Sequence, residues 1–356
     1  MTLLRELSTG RRIVYIATRL FDFSEKIKAE DMEQAVLSAL KAALSEKGLP
    51  FKASTSFTFV PFRDTVQNVS DAPVSSIPDL NKEIFEEDIK NLSNSIALVA
   101  HFDGLSKDEG VGIEIGYAYG RRIPILLAMT DFVRTAIKDK AQSMHLLDPI
   151  IEVMATSVLY QYQIPEGDAA YRDRLVSALG ILYSDVEREL KPIILNLPDH
   201  FVRRDVGGSI KTKQICIEFG GGQFEWQTIL ATQVSELLEA RGYSCVITDR
   251  YSIARTRSGN TTSMQALGEL DLRKLEESEL LITCSDMLEM ASGTAALQGY
   301  ARSLDKNVLL YDSKTTDMVG DNNYKSSRNL MVDNSANATV SSVKDIPKTV
   351  GAFFEN

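Results

Sequence analysis

Cysteine is scarce in this sequence. There are three in 356 residues, Cys216, Cys245 and Cys284, scattered without metal-type spacing. A disulfide scaffold or a zinc site is therefore not expected. Positive charge is also in short supply. Lys and Arg number 39 against 49 Asp and Glu, a formal net charge of −10. Proteins that bind nucleic-acid polymers usually carry the opposite balance, although a single nucleoside or nucleotide remains a suitable partner. No apolar run is long enough to cross a bilayer, and the start of the chain lacks a signal-peptide core. The expectation is a cytoplasmic protein with no membrane partner. Cofactor fingerprints are missing too. "GGGQ" (220–223) follows an apolar strand and could cradle an anion. It has neither the P-loop nor the dinucleotide pattern, so no cofactor and no metal is expected.

What is present is an ordinary globular composition, 44% hydrophobic and 25% charged, over a length that suggests about two domains. The first half alternates strand and helix patterns. "RIVYIAT" (12–18) and "STSFTFVPF" (54–62) read as strands, and "EDMEQAVLSALKAALSEKG" (30–48) reads as a helix stopped by Gly48. "NKEIFEEDIKNLSNS" (81–95) is helical, and "IALVAHF" (96–102) is a continuous apolar run, the mark of a strand buried on both faces. A helix is expected from about Val111, then a strand at "IPILLAM" (123–129). Such alternation implies a parallel sheet with helices on both sides. Ligands of these sheets bind beyond the carboxyl ends of the strands. Tyr15, Thr18, Asp103 and Glu114 fall near that edge.

The chain then repeats itself. "EDIKNLSNSIALVAHFDG" (87–104) matches "LDLRKLEESELLITCSDM" (270–287), and "GVGIEIGYAYGRRIPILL" (110–127) matches "GTAALQGYARSLDKNVLL" (293–310). The offset is 183 in both, from 271 − 88 and 293 − 110. The expected architecture is two tandem Rossmann-like or flavodoxin-like doubly wound parallel-sheet domains, 1–200 and 211–356. They are joined through "LKPIILNLPDHFVRRDVGGSIKTK" (190–213), where proline, glycine and charge interrupt the patterning. The copies differ where chemistry would sit. Asp88 pairs with Asp271 and Asp103 with Asp286, but Asp108 faces Ala291 and Glu114 faces Leu297. One active copy beside an inactive one would look like this, and Leu297 would suit a contact between the copies.

Glu114 lies between glycines where a strand gives way to a helix. A carboxylate there would serve as a nucleophile, a base or a solvated helix-start residue. The helix dipole would favour its anion, and flanking Gly110 and Gly112 would admit another molecule. His101, inside the apolar strand, reads as structural, and Arg121 and Arg122 read as helix-end cations.

Residues 12–165 resemble the nucleoside 2-deoxyribosyltransferase family, and the second half repeats it more weakly; the matching segments are "VYIATRLF", "EEDIKNLSNSIALVA", "DEGVGIEIGYA" and, in the second half, "RNLMV" (328–332). The resemblance implies roles for Glu114 as nucleophile, Asp108 as the second signature acid, Asp88 as the aspartate facing the base and Tyr15 as an active-site tyrosine. Thr18, Arg19, Asp103, Gly110 and Gly112 would line the substrate site. Asn329 would stand where the family has an asparagine that completes a neighbouring subunit's site, here within an intramolecular pseudo-dimer; further homo-oligomers stay open. In the first half, Glu152 of "LDPIIEVMATS" (147–157) falls about where that asparagine would be. The implied reaction is cleavage of an N-glycosidic bond, leading with 2-deoxyribosyl transfer between nucleobases. The alternatives are hydrolysis of a nucleoside 5′-monophosphate and, without catalysis, nucleotide sensing.

Overall fold

Seven successive buried residues, Ser95–His101, form the central strand of the first half. Continuous apolar sequence of this kind is stable only with helices over both faces, and the rest of the half supplies them. The computed structural model describes residues 2–18, 23–52, 55–61, 63–64, 77–102, 108–129, 137–138, 144–145, 147–161, 170–204, 213–251, 263–285, 290–313 and 329–355. The first half's strands are β1 (Ile13–Ala17), β2 (Thr58–Phe59), β3 (Ser95–His101), β4 (Ile125–Met129) and β5 (Ser157–Tyr160). They pair in parallel in the order β2-β1-β3-β4-β5. Its helices are α1 (Thr2–Ser8), α2 (Phe23–Glu46), α3 (Ile77–Ser93), α4 (Glu109–Gly120), α5 (Pro149–Met154) and α6 (Tyr171–Leu195).

The second half repeats the plan. Strands β6 (Gln214–Glu218), β7 (Ser244–Ile247), β8 (Leu280–Cys284), β9 (Asn307–Tyr311) and β10 (Ala338–Val340) pair in parallel in the order β7-β6-β8-β9-β10. Helices α7 (Glu225–Glu239), α8 (Met264–Glu276), α9 (Ser292–Ser303), α10 (Leu330–Ser335) and α11 (Ile346–Glu355) cover it. Both sheets are doubly wound with the same 2-1-3-4-5 strand order, the flavodoxin-like arrangement. Helices α4 and α9 keep the 183-residue offset of the repeat, while α5 and α10 lie 181 apart (149 to 330).

Two expected boundaries move. Within the strand expected over 54–62, the described residues 55–61 are β at Thr58–Phe59 alone. The joining segment expected from 190 begins later, because α6 continues to Leu195 with Pro192 inside it. Leu190 and Ile194, one helical turn apart, are buried in the first half's outer core beside Leu182 and Val186. That burial outweighs the one backbone hydrogen bond a proline forfeits.

The outer face of the first sheet packs on α1, α2 and α6, and that of the second on α7 and α11. The inner faces share one core. Leu98 and Leu127 of the first sheet and Leu281 and Val308 of the second belong to a single cluster, with Ile115, Ala296, Leu297 and Tyr300 between them. Leu297, the counterpart of Glu114, is wholly buried in this joint core.

Glycine makes the joint close. A Cβ on Gly116 would lie 1.8 Å from the Ala296 carbonyl oxygen, and one on Gly299 would lie 2.0 Å from that of Ile113. On Gly120 it would meet the Ser303 hydroxyl at 1.7 Å. Helices α4 and α9 therefore cross backbone against backbone, nearer than ordinary side chains allow. Gly112 belongs to the same stripe. Its missing Cβ would be 3.0 Å from Ala295 Cβ and 3.1 Å from the Ser292 carbonyl oxygen. The expectation that Gly112 opens space for a substrate is thus corrected: the molecule it admits is the other half of the chain.

Gly116→Val should push the two helices apart and cost about 1–3 kcal/mol or more by overpacking, read from urea unfolding. Gly180→Ala is the control, because this exposed α6 glycine has nothing within 4 Å of a new Cβ. It should gain about 0.5–1 kcal/mol from helix propensity. Equal effects in the two variants would count against a close helix crossing.

Candidate functional site

The first half's carboxylates gather at the carboxyl edge of its sheet. Asp108 caps α4, its Oδ1 accepting from the Val111 N–H at 2.9 Å. That fixes the helix start six residues before Glu114, which lies in the second turn and is buried. Glu114 is therefore neither a solvated helix-start residue nor within the single turn where the helix dipole acts strongly, a correction to both expectations. Tyr15, from the middle of β1 and wholly buried, donates its hydroxyl to Glu114 Oε1 at 2.7 Å. Among the described residues no group donates to Glu114 Oε2, although it is buried. Asp88, on α3, is buried beside them.

The electrostatics follow from this crowding. Burial pushes the Glu114 carboxyl well above the usual carboxylate range; Asp88 and Asp108 add to the rise, and the Tyr15 hydrogen bond opposes it. Tyr15 is likewise raised, by burial first and then by Glu114 and Asp88. Carboxyls raised by burial and neighbouring charge are concentrated at functional sites.

The second half reaches into this site. Asn329 caps α10, its side-chain oxygen accepting from the Met331 N–H at 2.9 Å. Its Nδ2 points at Asp108 Oδ1, 3.5 Å away. Gly110 leaves room for it, since a Cβ there would be 2.8 Å from that same nitrogen. Nearby, the Glu109 carboxylate accepts from the Met290 N–H of the other half. Thr18 is buried just beyond β1. Arg19 and Asp103, and the repeat partner Asp286, lie outside the described residues.

Pseudo-symmetry identifies the partner of Asn329. Asp148 caps α5, accepting from the Ile150 N–H at 2.9 Å, and stands 181 residues before Asn329 (329 − 148). It reaches the other half as Asn329 does: a Cβ on Gly293 would be 2.3 Å from its carboxylate. The first half's counterpart of the late asparagine is therefore Asp148, not Glu152, which is within α5.

The equivalent place in the second half is filled by Arg250, which sequence reading passed over. Its side chain is fully buried. Nη2 lies 3.0 Å from Asp148 Oδ2, and Nη1 lies 3.1 Å from Glu218 Oε2 and 3.4 Å from Asp271 Oδ2. Thr294 donates to Glu218 Oε1 at 2.6 Å, and Tyr251 to Asp148 Oδ2 at 2.8 Å. Gly220, Gly221 and Gly222 all have positive φ, and a Cβ on Gly221 would be 2.5 Å from Arg250 Nη1. The glycine run thus lies against a cation instead of cradling an anion. Neither Glu218 in an apolar strand nor Arg250 among charged residues carried a motif. The four-residue spacing of Gly112, Gly116 and Gly120 did carry a packing signal.

Arg121 bonds back to the Tyr117 hydroxyl at 3.0 Å, as suits a helix-end cation. Among the described residues no cluster of three or more His, Cys, Asp or Glu side chains is placed to hold a metal ion. None of their helices is long and apolar enough to cross a membrane.

A flavodoxin-like parallel sheet with a buried, tyrosine-bonded glutamate beside two further carboxylates defines an α/β protein with an acidic cluster in its first half. Residues 14–149 match the family model of nucleoside 2-deoxyribosyltransferase. A comparison with curated proteins finds no match.

Because the folded Glu114 carboxyl is raised above 4.5, its favourable contribution is full below that value and is lost as pH rises through the folded value. Glu114→Gln keeps an acceptor for Tyr15 and has no charge to bury. Urea unfolding from pH 4 to 8 should show the variant gaining stability over the wild type as pH rises. A difference that does not change with pH would contradict the burial argument.

Proposed function

We propose that the protein cleaves the N-glycosidic bond of a deoxynucleoside through Glu114 and passes the 2-deoxyribosyl group to a second nucleobase. The family domain supports glycosyl transfer or N-glycosidase chemistry in general. The observation that carries the particular reading is the buried Glu114, held by Tyr15 at Oε1 and with no partner for Oε2 among the described residues.

Breaking the bond between the anomeric carbon and the base nitrogen develops positive charge on the sugar. The free Oε2 of ionised Glu114 bonds to the anomeric carbon as the base leaves with the bonding pair, in the manner of a retaining glycosidase. Tyr15 holds the carboxylate rotamer. Asp88, directly or through a water, delivers the proton that the departing base nitrogen needs. The second base then attacks the anomeric carbon, breaking the ester bond to Glu114 and returning its ring N–H proton to Asp88. If water attacks instead, the outcome is hydrolysis, and a nucleoside 5′-monophosphate would be the alternative substrate. The division into a catalytic unit, 1–200, and a supporting unit, 211–356, belongs to this reading. So do a cytoplasmic setting and small-molecule partners only.

Asn329 gives the second half a part in this chemistry. Its amide, beside Asp108 and Gly110, can bond a sugar hydroxyl without adding a further negative charge to the acidic pocket.

The direct test incubates a deoxynucleoside with a foreign base and separates the products by liquid chromatography. Exchange is expected. Free base without exchange would favour hydrolysis, and binding without turnover would favour sensing. Glu114→Gln should fold and lose nearly all turnover, while Asn329→Ala should lose turnover with little change in melting temperature. The pH profile is a second check. Tyr15→Phe removes the bond that lowers the Glu114 pKa, and Asp88→Asn removes a charge that raises it. The acidic limb of kcat/KM should therefore move to higher pH in the first variant and to lower pH in the second. Movement in the opposite sense would show that another group controls that limb.

A further inference from the structure

The two sheets share a register that pairs residues the repeat alignment does not reach. Tyr15 faces Leu98 across β1 and β3, and Cys216 faces Leu281 across β6 and β8. Leu98 and Leu281 are 183 apart, so Tyr15 and Cys216 occupy one position, and Ala17 and Glu218 another. Tyr15 also faces Phe59, and Cys216 faces Val246. Four residues beyond each partner stands an arginine, Arg63 in the first half and Arg250 in the second, each opening a helical turn. The same logic aligns α2 with α7. Each is followed by a glycine with positive φ, Gly48 or Gly242, with matching closing bonds from Leu49 to Leu44 and from Tyr243 to Leu238. Glu33 and Gln227 each lie 15 residues before those glycines (48 − 33 and 242 − 227).

The arginine is kept in both halves, but its anions have changed sides. Arg63 is turned towards α2. Its Nη1 lies 2.7 Å from Glu33 Oε2, its Nη2 lies 3.1 Å from Glu33 Oε1, and its Nε lies 2.7 Å from Asp64 Oδ1. In the second half those two anions are replaced by Gln227 and Tyr251. New ones stand on the inner side instead: Glu218 where the first half has Ala17, and Asp148 where its pseudo-symmetry mate is Asn329. Arg250 follows them inward, onto Asp271, the counterpart of Asp88. A guanidinium goes where planar bidentate acceptors are. The second half thus displays the reach of an arginine at this position into the pocket.

We propose that this arginine decides which pocket is open: Arg250 is a built-in occupant that closes the second half to nucleosides, and the Glu33–Arg63 pair holds the equivalent side chain out of the first. Glu33 is then a positioning residue that acts through Arg63. The Arg63 part rests on the reading of the first pocket as the nucleoside site, and the Arg250 part does not.

Two measurements test it. In the first, Glu33→Gln frees Arg63 to turn towards Asp88 and compete with the substrate. KM for the deoxynucleoside that the wild type turns over should rise on the order of tenfold, one pKa-unit equivalent of binding, with kcat little changed. Glu33→Gln combined with Arg63→Gln should return KM to near the wild-type value. An unchanged or lower KM, or a double variant no better than the single, overturns the role of Glu33. Absence of turnover in the wild type would instead defeat the nucleoside reading. The second measurement needs no substrate. Arg250→Ala, folded in 1–20 mM methylguanidinium chloride and compared with sodium chloride at equal ionic strength, should recover melting temperature saturably. The effect should weaken when Asp271→Asn is added. An Arg250→Ala chain that gains nothing from the cation, or folds in neither salt, overturns the occupant role.

Discussion

The crossing of α4 and α9 is the constraint on which the rest depends. Gly116 and Gly299 let each helix rest on the other's backbone carbonyl, and a methyl group on either would part them. That contact unites two half-cores. The apolar inner faces of both sheets then form one cluster, burying surface that each half alone would leave against water. The same crossing sets α10 against the start of α4 and α5 against the start of α9. Asn329 and Asp148 can therefore reach across only because two glycines are bare.

Burial by that joint core also creates the chemistry. A glutamate in the second turn of a helix would ordinarily be solvated and ionised at neutral pH. Here it is buried, Asp88 adds repulsion, and Tyr15 supplies one compensating hydrogen bond. Among the described residues one carboxyl oxygen is fixed and the other has no partner, which costs the fold stability and would suit the nucleophile proposed above. Such compromises concentrate at functional sites. The pseudo-symmetric position shows the other solution. Leu297 replaces the glutamate, and three carboxylates around Arg250 form a fully enclosed ionic cluster. One half keeps a cluster of carboxylates and the other sets a guanidinium among its own. The fold tolerates both because the framework glycines, the strand register and the capping residues are common to the two.

Much of this was legible in the amino-acid order. The buried strand at Ser95–His101, the stop at Gly48, the ungapped repeat and the loss of Glu114 in its second copy are local or periodic features, and periodicity survives without coordinates. So did the family segments around Tyr15, Asp88 and Glu114, now matched over residues 14–149. The strand at 54–62 was read too long because β-forming residues extend past the two that find a partner strand. The joining segment was placed as early as 190 because Pro192 signals a break locally, whereas the helix runs on to Leu195 and the packing of Leu190 and Ile194 is a tertiary fact.

The sequence by itself determined the two parallel sheets, because alternating apolar runs and amphipathic helices admit few other arrangements. It also set apart the copy that carries the carboxylates. Only the tertiary structure decided what those residues face. Gly112 turned out to serve a helix contact, Asp148 rather than Glu152 to match Asn329, and Arg250 to lie at the centre of the second half. The physical reason is direction. Spacing along the chain places a residue on an element, but the element's neighbours decide whether its side chain meets solvent, an ion partner or another backbone, and those neighbours can lie far along the chain (Arg250 and Asp148 are 102 apart).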